Sequence, residues 1–457
     1  MIFLLTLSAV LEKGNKRIIR GWIAYDWANS VYNLVVSSAI FPLFYETSTR
    51  NLYAKENGLD PDKVDPGSVT VDFFGYQVSP SVIYSLVLSL GFICVSFLSP
   101  MLSGIADYTG SKKKFLKFFC YLGSLSCASL YFFNPAQVEL GMLSIFLGTI
   151  GFWNSLVFYN AFLPEIAETK DQDRISAQGY IMGYLGSMVL LIICLALIMG
   201  IDASLTKVSF LLVAIWWIGF AQMTYRVLPN NVYGKKPEKD YIWKGFRELK
   251  LVFKEFVQTR RLKKFLYAFF FFNTGVQTVM LMATVFASKE IEWPDKGAKT
   301  GLIIAILLIQ LLGAVGAKLS AMLAKKIGNI NVIILNVVIW IIICVFAYII
   351  TQPFEFYILA AFVGLVMGGV QAVARSTYSK YLPETTDHAS YFSFYDATEK
   401  IGMILGTAFF GLTELIFQDI RYSVFSVALF FILGFIFLLF VPKEENTIVS
   451  LTKNQHS

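Results

Sequence analysis

Long apolar segments, separated by shorter polar ones, run along the chain from residue 21 to residue 441. Each is about 20 residues long, the length that a helix needs to cross a bilayer. In the first half they are residues 21–45, 81–105, 115–133, 140–163, 179–199 and 209–228. In the second half they are residues 265–287, 301–323, 331–350, 356–381, 392–417 and 423–441. The pattern predicts an all-α membrane protein in which twelve transmembrane helices form two pseudo-symmetric six-helix bundles, residues 21–228 and 265–441.

The remaining segments are polar or too short to cross a membrane. Residues 1–20 hold an apolar run of roughly 11 residues followed by basic ones, so we expect a cytoplasmic lead-in rather than a spanning helix or a signal peptide. Residues 46–79 are predicted to be an extracytoplasmic loop, residues 229–264 a basic cytoplasmic linker and residues 442–457 a cytoplasmic tail. Apolar residues spaced by three and four predict an amphipathic helix on the membrane surface within the linker: Trp243, Phe246, Leu249, Phe253 and Phe256.

Composition and charge fit this arrangement. Hydrophobic residues make up 56% of the chain and charged residues 15%, against about 25% charged residues in soluble proteins. The net charge is +7, and about 30 of the 38 Lys and Arg fall on the side that holds both termini and the linker. The positive-inside rule makes that side cytoplasmic. We therefore predict a multi-pass protein in the bilayer of the inner (cytoplasmic) membrane, without a nucleic-acid partner.

The sequence carries no pattern for a cofactor, a metal site or an enzyme active site. The five cysteines lie singly in apolar runs, and the two histidines, His388 and His456, lie outside the predicted helices. The motifs HExxH, GxSxG and GxxxxGK[ST] are absent from the sequence. We predict a protein that is not an enzyme, binds neither cofactor nor metal, is not fuelled directly by ATP and is a monomer.

The loop between predicted helices 2 and 3 reads Gly104-Ile-Ala-Asp107-Tyr-Thr-Gly110-Ser-Lys112-Lys113-Lys114. Its glycines permit a tight turn, and its acid can meet the N-terminus of a neighbouring helix. The loop resembles the signature G-x-x-x-D-x-x-G-R-[KR] of the major facilitator superfamily, with Gly104 one place late and Ser111 in place of the first basic residue. A weaker echo at residues 323–328 has Lys325 where the acid would be.

Three further stretches resemble one branch of that superfamily, the autophagy-related vacuolar effluxers, which has many bacterial members. They are YDWANSVYNLVVSSAIFPLFY in helix 1, NAFLPEIA at residues 160–167 and the segment from Gly368 to Gly411. The resemblance covers nearly all of the membrane core, but neither the N-terminus nor the loop after helix 1. It implies a transporter. In fungi the family is associated with export of amino acids from the vacuole, whereas for bacterial members the substrate is generally unassigned.

One face of helix 1 is polar, because Asn29, Ser30, Asn33 and Ser37 follow Asp26 by three, four, seven and eleven residues. Such a stripe must face protein or a water-filled cavity. The resemblance implies that helices 1, 4, 7 and 10 line a central cavity. The polar residues on those helices that can bind a small polar solute are Asp26, Asn29, Asn33, Asn154, Tyr159, Asn160, Asn273, Gln277, Gln371 and Arg375.

Several roles stay open for the charged residues. Asp26 could couple transport to protons or bind a substrate amine, it could form a cytoplasmic gate with Arg375, or it could serve packing alone. By family analogy, Asp107 is expected to steady one conformation by meeting the start of helix 11, through backbone N–H groups or Lys400. The residues assigned to gating are Gly104, Asp107, Gly110, Lys112, Lys113, Asp396, Glu399 and Lys400. Four aromatic residues are expected at membrane interfaces: Trp22, Trp27, Tyr378 and Tyr381.

We predict a secondary transporter that works by alternating access. It is expected to export a small polar solute, such as an amino acid or a short peptide, with coupling to protons left open. The expected partners are thus the solute, protons and the bilayer. Two alternatives are a non-transporting sensor or scaffold that keeps the transporter fold, and an intramembrane enzyme, for which the sequence lacks the motifs.

Overall fold

The computed structural model describes residues 13–230, 240–294 and 298–444, most of which are helical. Most of the predicted lead-in, part of the linker and most of the tail lie outside the described residues. Helices 2 to 6 are Pro80–Thr109, Lys112–Ser129, Val138–Asn160, Gln172–Gly200 and Thr206–Val227. Helices 7 to 12 are Arg260–Glu290, Ala298–Ile327, Asn329–Ile349, Pro353–Tyr381, His388–Phe417 and Ile420–Leu439. In the described part of the chain, these 11 helices are long and apolar enough to cross a membrane.

Helix 1 is a continuous run of three segments, Lys16–Val31, the π-helical Tyr32–Ile40 and Phe41–Glu56. The prediction that it ends at Tyr45 is wrong, because it continues to Glu56. Pro42 does not stop the helix, since it lies in the first turn of the last segment, where a missing N–H costs little. The wider π-helical turns before it also relieve the clash between the proline ring and the preceding turn.

The polar segment after helix 1 is therefore shorter than predicted, and it is partly ordered. It holds two 3-10 turns, Pro61–Lys63 and Pro66–Ser68, and an antiparallel hairpin of strands β1 (Val71–Phe73) and β2 (Tyr76–Val78). Phe74 and Gly75 connect the strands with φ angles of 52° and 86°. Positive φ at both positions is typical of a two-residue hairpin turn.

The twelve helices form two halves. In the first half, helix 1 packs on helices 5 and 6, and helix 3 packs on helix 4. In the second half, helix 8 packs on helix 10, and helix 7 on helix 12. The halves meet where helix 2 contacts helix 11 and where helix 5 contacts helices 8 and 10. Small side chains allow close approach at the second contact, since Ala177, Ala317, Ala321 and Ala372 form one buried cluster.

The linker contains the helix Tyr241–Gln258, which we call the linker helix. It packs on the end of helix 2, where a Cβ atom on Gly104 would lie 2.5 Å from the carbonyl oxygen of Gly245. It also reaches helix 11, because the rings of Phe253 and Phe256 lie 5.7 and 5.5 Å from that of Phe394. The helix thus contacts both halves as well as presenting the exposed Trp243. We call this end of the molecule the linker side and the opposite end the far side.

Candidate functional site

The two halves meet in the interior through an ion pair between helix 1 and helix 10. A terminal nitrogen of Arg375 lies 3.2 Å from Oδ2 of Asp26. Both residues are buried, with 4% of Asp26 and 2% of Arg375 exposed. Tyr159 of helix 4 donates a hydrogen bond of 2.7 Å to the same Oδ2 atom. Three of the four helices expected to line a cavity therefore contribute to this cluster.

Arg375 is held by further groups of the first half. Its Nε donates to Oγ of Ser176 at 3.0 Å, and a terminal nitrogen donates to the Ser176 carbonyl at 2.8 Å. Asn160 accepts another bond, of 3.3 Å. The ring centres of Tyr180 and Trp22 lie 4.2 and 5.0 Å from the guanidinium carbon, within cation–π range. The guanidinium thus has polar and aromatic partners on several sides.

Helix 5 can approach this pair because residue 179 is glycine. A Cβ atom there would overlap Oδ2 of Asp26 and would lie 2.8 Å from a terminal nitrogen of Arg375. Sequence reasoning missed Gly179, Ser176 and Tyr180, since a lone glycine and scattered small or aromatic residues are common in any membrane helix. It also placed Trp22 at a membrane interface, which is wrong, because Trp22 is fully buried and stacks on Tyr159 at 4.4 Å.

A second charged cluster lies on helix 11 and faces the first half. Lys400 is fully buried, and its Nζ lies 2.9 Å from both Asp396 and Glu399. The ammonium group also lies 3.4 Å from the ring centre of Trp153 on helix 4. Oγ of Ser99 on helix 2 donates to Asp396 at 3.2 Å. This cluster, like the first, joins the two halves.

The predicted amides of helices 4 and 7 connect to this second cluster. Gln277 donates to Glu399 at 2.6 Å, and Asn273 donates to the same oxygen at 3.5 Å. Asn154 accepts from Ser99 at 3.0 Å. These polar side chains therefore face the interior rather than lipid.

The remaining predicted residues lie toward the far side. Gln371 accepts a hydrogen bond of 2.6 Å from Tyr184 of helix 5, again between the halves. Asn29 is buried, and its amide nitrogen has no hydrogen-bond partner in the described structure. Asn33 is exposed, although it lies two turns beyond Asp26 on the same face of helix 1.

The predicted loop motif closes against helix 11 on the linker side. Asp107 accepts hydrogen bonds from the backbone N–H groups of Ala389 and Ser390, at 3.2 and 2.7 Å. A carboxylate at a helix N-terminus satisfies free N–H groups and the helix dipole. Of the two partners expected for Asp107, the structure therefore shows the backbone N–H groups of helix 11, whereas Lys400 pairs with Asp396 and Glu399. Gly110, with φ of 66°, ends helix 2 and turns the chain.

Lys112 and Lys113 of the motif are buried, whereas Lys114 is exposed. Lys112 contacts Glu165 and lies 3.6 Å from Asp107. Lys113 donates to the backbone carbonyl of Leu228 at 2.5 Å. Glu165 also lies 3.0 Å from Nδ1 of His388 on helix 11. The motif is therefore part of a network that reaches from helices 2 and 3 to the other half.

Another contact between the halves on the linker side was not predicted. Asp173, at the start of helix 5, lies 2.5 Å from Nζ of Lys380 on helix 10. It also accepts hydrogen bonds of 2.7 Å from Ser376 and from Asn329. The sequence placed Asp173 in a polar loop, where nothing distinguished it from its acidic neighbours. In the described residues no group of three or more His, Cys, Asp or Glu side chains could hold a metal ion.

Comparison with known proteins identifies the family. The sequence model described as "Vacuole effluxer Atg22 like" matches residues 14–448. The chain belongs to the Atg22-like family. The MFS-type transporter YxiO of Bacillus subtilis (strain 168) is 32% identical to this Atg22-like chain over 443 residues, covering 95% of the chain and 96% of YxiO. Autophagy-related protein 22 of Coccidioides immitis (strain RS) is 23% identical over 540 residues, covering 94% of the chain and 87% of that protein.

Solved structures give the fold of the Atg22-like chain. The major facilitator superfamily transporter FucP, in an outward conformation, aligns with a TM-score of 0.64 at 12% identity, covering 94% of this chain and 98% of FucP. The resemblance inferred from the motifs is therefore confirmed, as is the all-α major facilitator fold of twelve transmembrane helices in two bundles. This Atg22-like protein is a multi-pass membrane protein of an MFS-type transporter family.

Proposed function

We propose that this Atg22-like protein is a secondary active transporter that moves a small polar solute by alternating access. The observation that supports this most is the Asp26–Arg375 pair, in which opposite charges from the two halves meet in the interior at 3.2 Å. Charges inside a membrane protein are costly and usually mark a solute or proton path. In transporters built of two repeats, the solute site lies between the halves near the middle of the membrane.

We further propose that the linker side is the cytoplasmic side of the inner membrane. The basic linker supports this orientation through the positive-inside rule. The contacts of Asp107 with helix 11 and of Asp173 with Lys380 then close the cytoplasmic side. The exposed Asn33 lies about two helical turns beyond Asp26, toward the far side, which supports an opening on that side. The conformation is therefore outward-facing in this proposal, as is that of FucP in the structure to which it is similar.

In our proposal the Asp26–Arg375 pair is both the floor of the outward cavity and a part of the gate. A zwitterionic solute can replace the pair charge for charge, with its carboxylate on Arg375 and its ammonium group on Asp26. The surrounding Asn160 and Tyr180 can then contact the solute. An amino acid or a short peptide carries these two charges, which is why we favour this class. We favour export because the matching family model is described as a vacuole effluxer. Protonation of Asp26 would release Arg375 and so provide coupling to protons.

The first test is a thermal-shift screen of the purified protein against amino acids, dipeptides, sugars and nucleosides. A solute that binds the folded state raises the melting temperature as its concentration exceeds its dissociation constant. Each hit is then assayed for uptake into proteoliposomes, with and without an imposed pH gradient. We expect uptake to be lost in Asp26→Asn and retained in Glu414→Gln, a variant that loses a part-exposed carboxylate of the second half.

Two outcomes would contradict the proposal. Absence of flux for every solute that stabilises the protein would favour the sensor or scaffold. Wild-type flux and wild-type pH dependence in Asp26→Asn would show that the Asp26–Arg375 pair is needed neither for binding the solute nor for coupling transport to protons. Flux that responds to the solute gradient but not to the pH gradient would indicate a uniporter. That result would contradict the proposed coupling to protons but not transport of the solute.

A further inference from the structure

A small cavity lies in the first half on the far side, well away from the Asp26–Arg375 pair. It has a volume of about 160 Å³ and lies between the far end of helix 1 and the start of helix 2. Along helix 1, Arg50 lies 24 residues beyond Asp26, which at 1.5 Å per residue is roughly 35 Å. The cavity is therefore separate from the proposed transport site. Its polar lining includes Tyr45, Glu46, Arg50, Ser79, Ser81 and Ser85.

Arg50 is the cation of this cavity. It is half-buried, and its Nε atom is buried without a hydrogen-bond partner. Among the residues that the structure describes, no carboxylate lies within 4.0 Å of its guanidinium nitrogens, and the exposed Glu46 one turn away makes no ion pair with it. A buried donor on a charged group is costly when left unpaired. Arg50 thus lacks an anionic partner among the side chains that the structure describes.

A second observation points to the same missing group. The hydroxyl of Tyr45 is buried without a hydrogen-bond partner, in a residue that is only 2% exposed and lines the same cavity. The neighbouring Tyr84 differs, because its hydroxyl donates to the backbone carbonyl of Ser37 at 3.0 Å. Two unsatisfied donors, one of them charged, therefore border a single small cavity.

The start of helix 2 adds further donors. Its N-cap residue, Ser79, makes no side-chain capping bond, and its hydroxyl pairs with that of Ser81 instead, at 3.1 Å. Pro80 has no N–H, so the first free N–H groups of the helix belong to the residues that follow it. The 30-residue helix also places the positive end of its dipole here. N–H groups, hydroxyls and a guanidinium are the donors that bind phosphate.

We propose that this cavity binds one phosphate group, from either a phospholipid headgroup or a free phosphate ion. Arg50 provides the charge, Tyr45 a hydroxyl donor and the start of helix 2 the backbone donors. Glu46 lies at the exposed rim of the cavity, where its negative charge favours a positively charged substituent on the bound phosphate. Exposed Leu43 and Val82, on the same two helix ends, are compatible with lipid chains beside the site.

The test compares phosphate sources on protein purified in a phosphate-free maltoside detergent. Melting temperatures are measured with sodium phosphate against sodium chloride at equal ionic strength. They are also measured with added dioleoylphosphatidylethanolamine or dioleoylphosphatidylglycerol, against dioleoylglycerol, which lacks the phosphate. Native mass spectrometry counts the bound molecules. The variants are Arg50→Gln and Tyr45→Phe. Their matched controls are Lys55→Gln and Tyr53→Phe, which lie on the same helix outside the cavity lining.

We expect one phosphate-bearing molecule to bind and to raise the melting temperature, with affinity falling roughly tenfold or more in Arg50→Gln. Tyr45→Phe should weaken binding less, and neither control should change it. Stabilisation by sodium phosphate would identify the ligand as the free ion. Stabilisation by the phospholipids alone would identify it as a phospholipid headgroup. Equal stabilisation by dioleoylglycerol and the phospholipids, or undiminished binding in folded Arg50→Gln and Tyr45→Phe proteins, would overturn the proposal.

Discussion

Removing the Asp26 carboxylate should open the linker side of the molecule. In Asp26→Asn, Arg375 keeps its bonds to Ser176 and Asn160 but loses its only charged partner in the described structure. The loss destabilises the conformation in which the linker side is closed more than the one in which it is open. In the open conformation water can hydrate the guanidinium group of Arg375, whereas in the closed one the group stays buried. The substitution is close to isosteric, so helix packing around Gly179 is retained.

The structure allows a rough magnitude for this effect. Removing one partner of a buried ion pair costs about 3–5 kcal/mol. The remaining hydrogen bonds to Arg375 argue for the lower value, and an asparagine amide can still accept the bond from Tyr159. A change of about 3 kcal/mol in the closed arrangement alone raises the ratio of open to closed molecules about 100-fold. The networks of Asp107 and Asp173 stay intact, so the protein should remain folded.

Cysteine labelling can measure this population. Ala321 is buried where helices 5, 8 and 10 meet, so Ala321→Cys should react with maleimide only when the linker side opens. If opening is fast relative to labelling, the labelling rate is proportional to the open fraction. We expect Asp26→Asn to raise that rate 10- to 100-fold. Labelling of the native cysteines is measured in the parent and subtracted.

Two controls separate opening from other effects. Ala287→Cys, buried near the far end of helix 7, should stay unlabelled unless the protein unfolds. Glu414→Gln breaks a part-exposed ion pair with Lys289 inside the second half, worth about 0–1 kcal/mol at most, and should not change labelling at residue 321. Labelling in Asp26→Asn within twofold of the parent would refute the reasoning, because the pair would then not hold the halves together.

The other predictions concern neighbouring contacts. Gly179→Ala should abolish uptake by pushing helix 5 from the ion pair, whereas Gly219→Ala, which meets nothing within 4 Å, should leave uptake unchanged. Asp107→Asn removes the carboxylate charge at the start of helix 11 and should raise labelling of Ala321→Cys, but less than Asp26→Asn does. Lys400→Met leaves the buried carboxylate of Asp396 and the part-buried one of Glu399 without their cation and should lower stability by about 3–5 kcal/mol, measured as a fall in melting temperature.

The fold was predictable because membrane helices leave a strong signal in the sequence. Twelve apolar segments and the glycine-rich loop motif were enough to identify the superfamily and its two halves. The ends of the helices were less predictable. Helix 1 passes Pro42 and reaches Glu56, since a π-helical segment absorbs the proline and the polar residues beyond it are compatible with a helix outside the bilayer.

The candidate site was predictable in part, because charged residues stand out in apolar segments whereas aromatic and small residues do not. Asp26, Arg375 and Lys400 are conspicuous as charges in apolar segments, whereas Trp22, Tyr180 and Gly179 look like ordinary core residues. The local sequence does not indicate which of these charged residues form ion pairs with each other. Lys400 follows Asp396 by four residues, a spacing that lets the two side chains meet on one helix face, and the contact is present at 2.9 Å. Asp107, in contrast, meets a helix end 282 residues away in the chain, which depends on how the halves dock.

The kinds of contact within and between the halves differ, and this difference bears on how the molecule can move. Inside the first half, large rings such as Trp217, Phe158 and Tyr25 are fully buried. Separating them would expose apolar surface at about 25 cal/mol for each Å². Between the halves the contacts are ion pairs, hydrogen bonds, cation–π contacts such as that of Lys400 with Trp153, and the cluster of alanines around Ala321. Water or a solute can replace those polar partners at a net cost of about 1 kcal/mol per hydrogen bond. The halves can therefore separate while each stays intact, as alternating access requires.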